Sequence, residues 1–360
     1  MNRVTRLTSI ELLRILAIFG VIIQHYNLDI AVPAFGRALF YVEHKTLNEI
    51  FLYFLESLSV CAVDLFVLIS GYFSCTLTKR SAIKPIKLLF QVVIFNYISW
   101  IKHIILGDAI ISVGHLIKLL VPCSYFVTIY TALYFVSPFI NVGLKKFNEK
   151  TFRKMIIIIF LLFSVEPCIY DFITNYTGRN FNGLCTISFL SGSGSGYTFV
   201  NFMLMYLIGA FLRNFTVQTT KLKLCLGIIF TTILITCWQY FLPDSVSAIG
   251  DAYHNPLVIL NAALIFLLFR NMSLKQSLLI NRLSAASFTV FLSHSLFMQY
   301  FDIKAAVARP LPLLLLHIIF TGMICYIFGY IIYVIYTFAT EWLFTLITKK
   351  HQFYIEATER

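Results

Sequence analysis

Charge is the scarce commodity in this chain, and negative charge above all. Of 360 residues only 16 are Asp or Glu, against 28 Lys or Arg, and charged residues of either sign make up 12%. A soluble domain of this length covers itself with roughly twice that share of charge. Other familiar patterns are missing as well. The eight cysteines show no C-x-x-C spacing and fall mostly within or beside apolar stretches, so they read as small buried hydrophobes rather than zinc ligands, a redox pair or a disulfide framework. There is no G-x-S-x-G elbow, which removes support for a covalent serine mechanism. No G-x-x-x-x-G-K-S/T cradle is present, so the run "SGSGSGYTF" (191–199) reads as a flexible outer loop rather than a nucleotide site. No internal repeat of the inverted-transporter kind is visible, and no low-complexity linker divides the chain.

What fills the space is hydrocarbon. Apolar residues reach 59% and mean hydropathy is +0.84, more apolar surface than one water-soluble core of this size would hide. Bilayer spans need about 20 apolar residues each. Ten segments qualify: 10–29, 50–73, 86–106, 123–143, 154–170, 198–213, 222–242, 256–270, 284–301 and 311–339. The expected fold is an all-α polytopic membrane protein, with one membrane domain over 1–348 and a short cytoplasmic tail at 349–360. The longest polar insertions are 30–49 and 171–197. Arg14 interrupts the first apolar run and no A-x-A site follows, so that run is expected to be a retained helix and not a cleaved leader.

The net charge of +12 is interleaved with the spans rather than gathered in a patch for nucleic acid. With the N-terminus in the cytoplasm, the loops at 74–87, 144–154, 213–223 and 270–282 and both tails carry 20 Lys or Arg, while the opposite side carries 7. This bias favours ten spans with both termini cytoplasmic.

Polar residues inside spans need a reason, because lipid penalises them. In "ELLRILAIFGVIIQHY" (11–26) a helical advance of about 100° per residue puts Arg14 and His25 within about 20° of each other, and Glu11 within about 60° of both. His25 lies about 16 Å further along the axis. Such a stripe reads as the lining of a functional cavity, or as structural pairing. In "CAVDLFVLISGYF" (61–73), Asp64 and Gly71 are seven apart and nearly share a face, with Ser57 on the same line one heptad earlier; Ser70 and then Lys79 and Arg80 lie toward the cytoplasmic mouth. A small-residue packing seam explains that pattern as well as a ligand site does. "FTVFLSHSLFM" (288–298) adds His294 inside a span. His25 and His294 lack the further ligands a metal would require, so no metal site is expected.

Taken in order, these stretches resemble the membrane acyltransferase-3 family. "SIELLRILAIFGVIIQHY" is similar to its first-helix signature, an arginine followed by ten residues and a histidine, and "VDLFVLISGYF" resembles its second-helix motif. The Lys79-Arg80 loop, "SYFVTIYTALYFVSPFIN", "GYTFVNFMLMYLIGAFLR" and "FTVFLSHSLFM" resemble further family segments, so the likeness runs from about residue 8 to 340. Two departures stand out: Phe66 is followed by Val67 where aromatic pairs are frequent, and the inner-loop basic pair is Lys-Arg rather than two spaced arginines. The resemblance implies a bacterial cytoplasmic-membrane enzyme that moves an acyl group, usually acetyl, from cytoplasmic acyl-CoA to a hydroxyl of a cell-surface glycan, of the stand-alone kind that decorates capsule or exopolysaccharide. Its partners would be acyl-CoA, a free or lipid-linked glycan and membrane lipid, with no tightly bound cofactor.

On residue chemistry, Arg14, Lys79 and Arg80 suit CoA phosphates, with the pantetheine arm beside Ser70 and Gly71. His25 suits a general base or a transient acyl carrier. Asp64 or Glu56 would orient His25 or bind sugar hydroxyls, and Glu11 and His294 complete the substrate-facing set. A lipid-linked glycan flippase or a glycan polymerase is the rival expectation, separable because only the acyltransferase releases CoA thiol.

Overall fold

The structure is a computed structural model that describes residues 7–28, 38–107, 111–122, 124–179, 196–350 and 354–357. Much of the expected outer loops, including 180–195 with most of the Ser-Gly run, lies outside the described residues, as do Cys123 and Cys185.

Helix α1 (Thr8–Leu28) is followed by the single turn α2 (Ala38–Tyr41), then α3 (Leu47–Ser59) and α4 (Ala62–Ser74). A short strand β1 (Lys79–Ser81) leads into α5 (Ile83–Leu106), α6 (Val113–Leu119) and α7 (Tyr125–Leu144). Helix α8 (Glu149–Phe160) passes through a π-helical turn, Leu161–Val165, into α9 (Glu166–Thr177). The chain continues with α10 (Phe199–Asn214), α11 (Lys221–Phe241), α12 (Asp244–Ser247), α13 (Pro256–Arg270), α14 (Leu278–Ala285), α15 (Ser287–Met298) and α16 (Ile303–Val307). It closes with the 40-residue α17 (Leu311–Lys350) and strand β2 (Tyr354–Glu356).

Local chemistry explains most boundaries. Thr46, Ser112, Thr198, Thr220, Asn255, Ser277 and Asp302 each cap a helix start by accepting a backbone N–H with the side-chain oxygen. Gly178, at φ 68°, ends α9 in the left-handed conformation that glycine adopts without strain. That stop falls seven residues beyond the expected span end at 170, so the polar stretch "DFITNYT" is helix and not the start of a loop. It is held there because Asp171 and Thr174 are buried.

Seven helical runs are long and apolar enough to cross a membrane: α1, α3 with α4, α5, α7, α8 through α9, α11 and α17. Helices α10, α13 and α15 are apolar but only 16, 15 and 12 residues long. At about 1.5 Å per residue, α15 is about 18 Å long, short of a hydrocarbon core of about 30 Å. The protein is therefore all-α and multi-pass, with large apolar side chains such as Ile105, Phe241 and Phe338 turned outward as lipid demands.

The described chain forms two compact units. The first runs to Phe73 and resumes over Glu149–Tyr330; the second holds Ser74–Asn148 and the chain from Ile331 onward. In the first, α1 packs against α3, α13, α14 and α15, and α11 against α3 and α13. Its core includes Ile10, Leu13, Ile18, Tyr26, Leu52, Phe202, Tyr206 and Phe266. In the second, β1 and β2 pair antiparallel with Lys79 opposite Glu356 and Ser81 opposite Tyr354. Asn141 of α7 donates to Ser74 O and Leu77 O, and Tyr134 Oη to Ser81 O, which fastens β1 to α7. Residues 354–357 of the expected tail thus pair with the segment Thr78–Ser81 in a two-stranded antiparallel sheet.

Candidate active site

Helix α1 carries the centre of the first unit. Glu11 is buried, and Arg14 one turn later donates to both of its carboxylate oxygens, at 3.1 and 3.2 Å. Ser284, at the end of α14, donates to the same carboxylate. The Arg14 side chain keeps 32% of its surface accessible and its guanidinium lies 5.9 Å from the Phe73 ring centroid. Glu11 thereby fixes a cation that stays reachable at one edge, which is what an anion site needs.

Three turns further along α1 the His25 ring lies against the buried His294 of α15, with centroids 4.7 Å apart and planes tilted by 56°. His294 Nδ1 is 2.7 Å from Phe291 O, the carbonyl one turn earlier on the same helix. Glu11 thus meets α14 and His25 meets α15, while Arg14 lies between Glu11 and the Phe73 ring of α4. Residues on α1's other side point elsewhere. Asn27, about 160° around the helix from His25, donates to Glu56 Oε2 at 3.1 Å and to Leu52 O. Gln24 also bonds Glu56. Glu56 is therefore held on α3 across a different face of α1 and is not hydrogen-bonded to His25.

Asp64 is wholly buried on α4 and receives Asn201 Nδ2 of α10 at 3.1 Å. It, too, makes no hydrogen bond to His25. Asn201 also donates to Tyr253 O, and the next residue, His254, lies 3.7 Å from the buried Asp171 while Ser164 donates to its carbonyl. Asp64 is one end of a polar chain tying α4, α10, α9 and the turn before α13 together. A few residues along α4, what Gly71 admits is a helix. A Cβ there would come within 2.2 Å of Tyr206 O, and one on Gly209 within 2.1 Å of Leu68 O. The α4 and α10 backbones meet directly through these two glycines. Ser70, half-buried, precedes the contact.

Lys79 and Arg80 belong to the second unit. Lys79 is exposed, 2.8 Å from Glu356 and 4.9 Å from the Tyr354 ring centroid; the Glu356 hydrogen bond raises its pKa above the usual lysine range. Arg80 is buried with its guanidinium 4.6 Å from the Tyr134 ring centroid, and its Nε has no hydrogen-bond partner among the described residues. Lys84 approaches the same ring at 5.9 Å. Two cations around one aromatic face, one with an unfilled donor, are chemically suited to an anion.

Outside the spans, burial pushes the Asp251 carboxyl up to about 7. Among the described residues no group of three or more His, Cys, Asp or Glu is arranged to hold a metal.

Several structural partners escaped the sequence reading: Ser284, Asn27, Asn201, and His317, which meets Tyr26 Oη at 2.9 Å. Asn201 and His317 do leave a signal, since each is a lone polar group in an apolar run.

An all-helical, multi-pass chain with an Arg and a His on one face of its first helix defines the class. The chain matches the family model described as an acyltransferase domain over residues 7–346, and it belongs to that acyltransferase-3 family of membrane acyltransferases. No curated protein and no solved structure matches it.

Proposed function

We propose that this chain is an O-acyltransferase of a bacterial cytoplasmic membrane, which takes an acetyl group from cytoplasmic acetyl-CoA and delivers it to a hydroxyl of a capsule or exopolysaccharide glycan. Ten spans with both termini cytoplasmic accompany that reading, with α10, α13 and α15 as the short crossings. The observation that carries it is the α1 stripe: an anchored, partly accessible Arg14 and, about 16 Å deeper, His25 in ring contact with His294.

Arg14 of the first unit is assigned to the phosphates of the donor, which arginine grips in a planar fork, while Lys79 and Arg80 of the second unit carry charge and donors that suit an anion in their own right. His25 supplies the base. It takes the proton of the acceptor hydroxyl as the hydroxyl oxygen bonds to the thioester carbonyl carbon; the C–S bond then breaks, and the CoA thiolate recovers the proton from the imidazolium. In the two-step form the imidazole nitrogen bonds the acyl carbon first and CoA leaves before the glycan arrives. Glu11 serves the site in this scheme by holding Arg14, and Glu56, expected to face substrate, instead holds α3 to α1 through Asn27. Asp64, Ser70 and Gly71 act on the site through the α4–α10 seam that frames it.

The test is purified protein in nanodiscs given acetyl-CoA and a lipid and glycan extract of its host, with free thiol and acetylated glycan both measured. Stoichiometric appearance of the two supports the reading. Absence of thiol release from a folded sample across a series of acyl-CoA donors refutes it.

A further inference from the structure

The far end of α1 borders a second polar cluster, which the chemistry of His25 leaves unused. Gln24, the residue before His25, bonds Glu56 of α3, and Asn27 bonds the same carboxylate. Around Glu56, α3, the end of α11 and the turn after α12 bring together Tyr53, Ser57, Gln239, Tyr240 and Asp251. Tyr53 and Tyr240 meet edge to face with ring centroids 5.8 Å apart, and both are partly accessible. The carboxylates in electrostatic reach of the Tyr53 hydroxyl are Glu49, Asp244 and Asp251, and Asp251 is also in reach of Glu56.

Two of these groups have hydrogen-bonding capacity left over. Gln239 is only 5% exposed; its Oε1 accepts from Ser57 at 3.2 Å, but its Nε2 donates to nothing among the described residues and still reaches water-accessible space. Asp251, partly accessible on its turn, receives its own backbone N–H and no side chain among the described residues. Glu49 and Glu56 are engaged: the first is held by His44 and by the Lys45 N–H, the second by Asn27 and Gln24. What remains is one amide donor and one carboxylate acceptor beside two tyrosine rings. A metal ion would gain from the carboxylate but be repelled by the amide N–H, and an anion would face four acidic side chains. A sugar hydroxyl donates and accepts at once, so it can meet both groups. Tyrosine rings, apolar with a polar tip, match a pyranose whose C–H face is apolar and whose edge is hydroxylated.

We propose that this cluster is the acceptor subsite: it binds a neutral saccharide, with Asp251 accepting from one hydroxyl, Gln239 Nε2 donating to another sugar oxygen, and Tyr53 and Tyr240 against the sugar ring. Its purpose rests on the acyltransferase reading; its chemistry does not. It narrows the substrate class, because a glycan rich in uronate would set its own carboxylates against Glu49, Asp244, Asp251 and Glu56. Gln24 and His25 are consecutive, about 1.5 Å apart along the helix axis, so a saccharide held here lies beside the turn of α1 that carries the reacting imidazole.

The experiment is a saccharide titration of the full chain in nanodiscs, read by saturation-transfer difference NMR with no acyl-CoA present. The pH is 8, above the value of about 7 to which burial pushes Asp251. The probes are oligosaccharides released from the host's surface polysaccharides and split on an anion exchanger into neutral and uronate-containing pools. Wild type is expected to bind the neutral pool and to give little signal with the acidic one. Gln239→Glu, which keeps the acceptor for Ser57 and removes the donor, and Asp251→Asn are each expected to weaken neutral binding about tenfold or more. Both should raise the glycan KM by a similar factor with the acetyl-CoA KM unchanged. Asp251→Asn is expected to melt no lower than wild type at this pH, so its loss of binding is not a loss of fold. Preference for the acidic pool, no binding of either pool by folded wild type, binding that requires added Ca2+, or folded variants that bind as wild type does overturns the proposal. If neutral binding and its loss in the variants are seen but no acyl-CoA donor releases thiol, the transferase reading fails and the saccharide site stands.

Discussion

Ser284 and Arg14 hold the same carboxylate: Glu11 accepts from the end of α14 and from its own helix at once, so the carboxylate that holds Arg14 is itself held by a residue 273 positions away in sequence. Glu11→Ala removes both anchors. It is expected to lower stability by about 1–3 kcal/mol and to raise the acetyl-CoA KM, while Ser284→Ala costs about 1 kcal/mol with little change in KM. Thermal unfolding in detergent, set beside steady-state kinetics, checks the order of the two.

The glycine seam makes a prediction about folding rather than binding. Overpacking two helix backbones is expensive, so Gly71→Ala and Gly209→Ala should each cost about 2–3 kcal/mol or more, equally with and without acetyl-CoA present. Gly143→Ala is the control, since a Cβ there meets nothing within 4 Å. A Gly71→Ala protein with unchanged melting but a weakened donor KM would mean that the glycine faces ligand and not α10.

At the β1–β2 pair, Glu356 occupies a cation whose charge suits phosphate. Glu356→Gln should therefore lower the acetyl-CoA KM modestly, by less than about fivefold, and should do nothing in a Lys79→Ala background. A KM that rises instead would assign Glu356 to building the site.

Asp251 sets a pH dependence. Its folded carboxyl keeps a proton up to about 7, whereas the unfolded chain releases it near about 3.9. The folded state thus binds more protons between those values, and this residue's contribution to stability falls as pH rises from about 4 to about 7. Asp251→Asn should melt higher than wild type at pH 8 and nearly level with it near pH 4. An equal gap at both values would contradict the assignment.

Much of the fold was legible because helices in lipid announce themselves residue by residue. Each of the ten expected segments coincides with a helix or helical pair, and the Glu11–Arg14–His25 stripe needs only the pitch of one helix to be seen. The sequence could not show which element answers each polar group. Ser284 meets Glu11, Asn201 meets Asp64 and His294 meets His25 across 273, 137 and 269 positions, distances over which periodicity carries no information. The nominated partners of His25 illustrate this: Asp64 and Glu56 were eligible by residue type, yet each is taken by an asparagine. The extension of α9 to Thr177 was missed for a related reason, because the polarity of Asp171 reads as loop until His254 is seen beside it.

The account turns on His25. The most direct test is CoA thiol release from acetyl-CoA by purified wild type and by His25→Ala, both verified as folded, with the same glycan acceptor. The account predicts release by the wild type and a loss of at least about a hundredfold in the variant; near-normal release by His25→Ala would contradict both the direct and the two-step form of the mechanism.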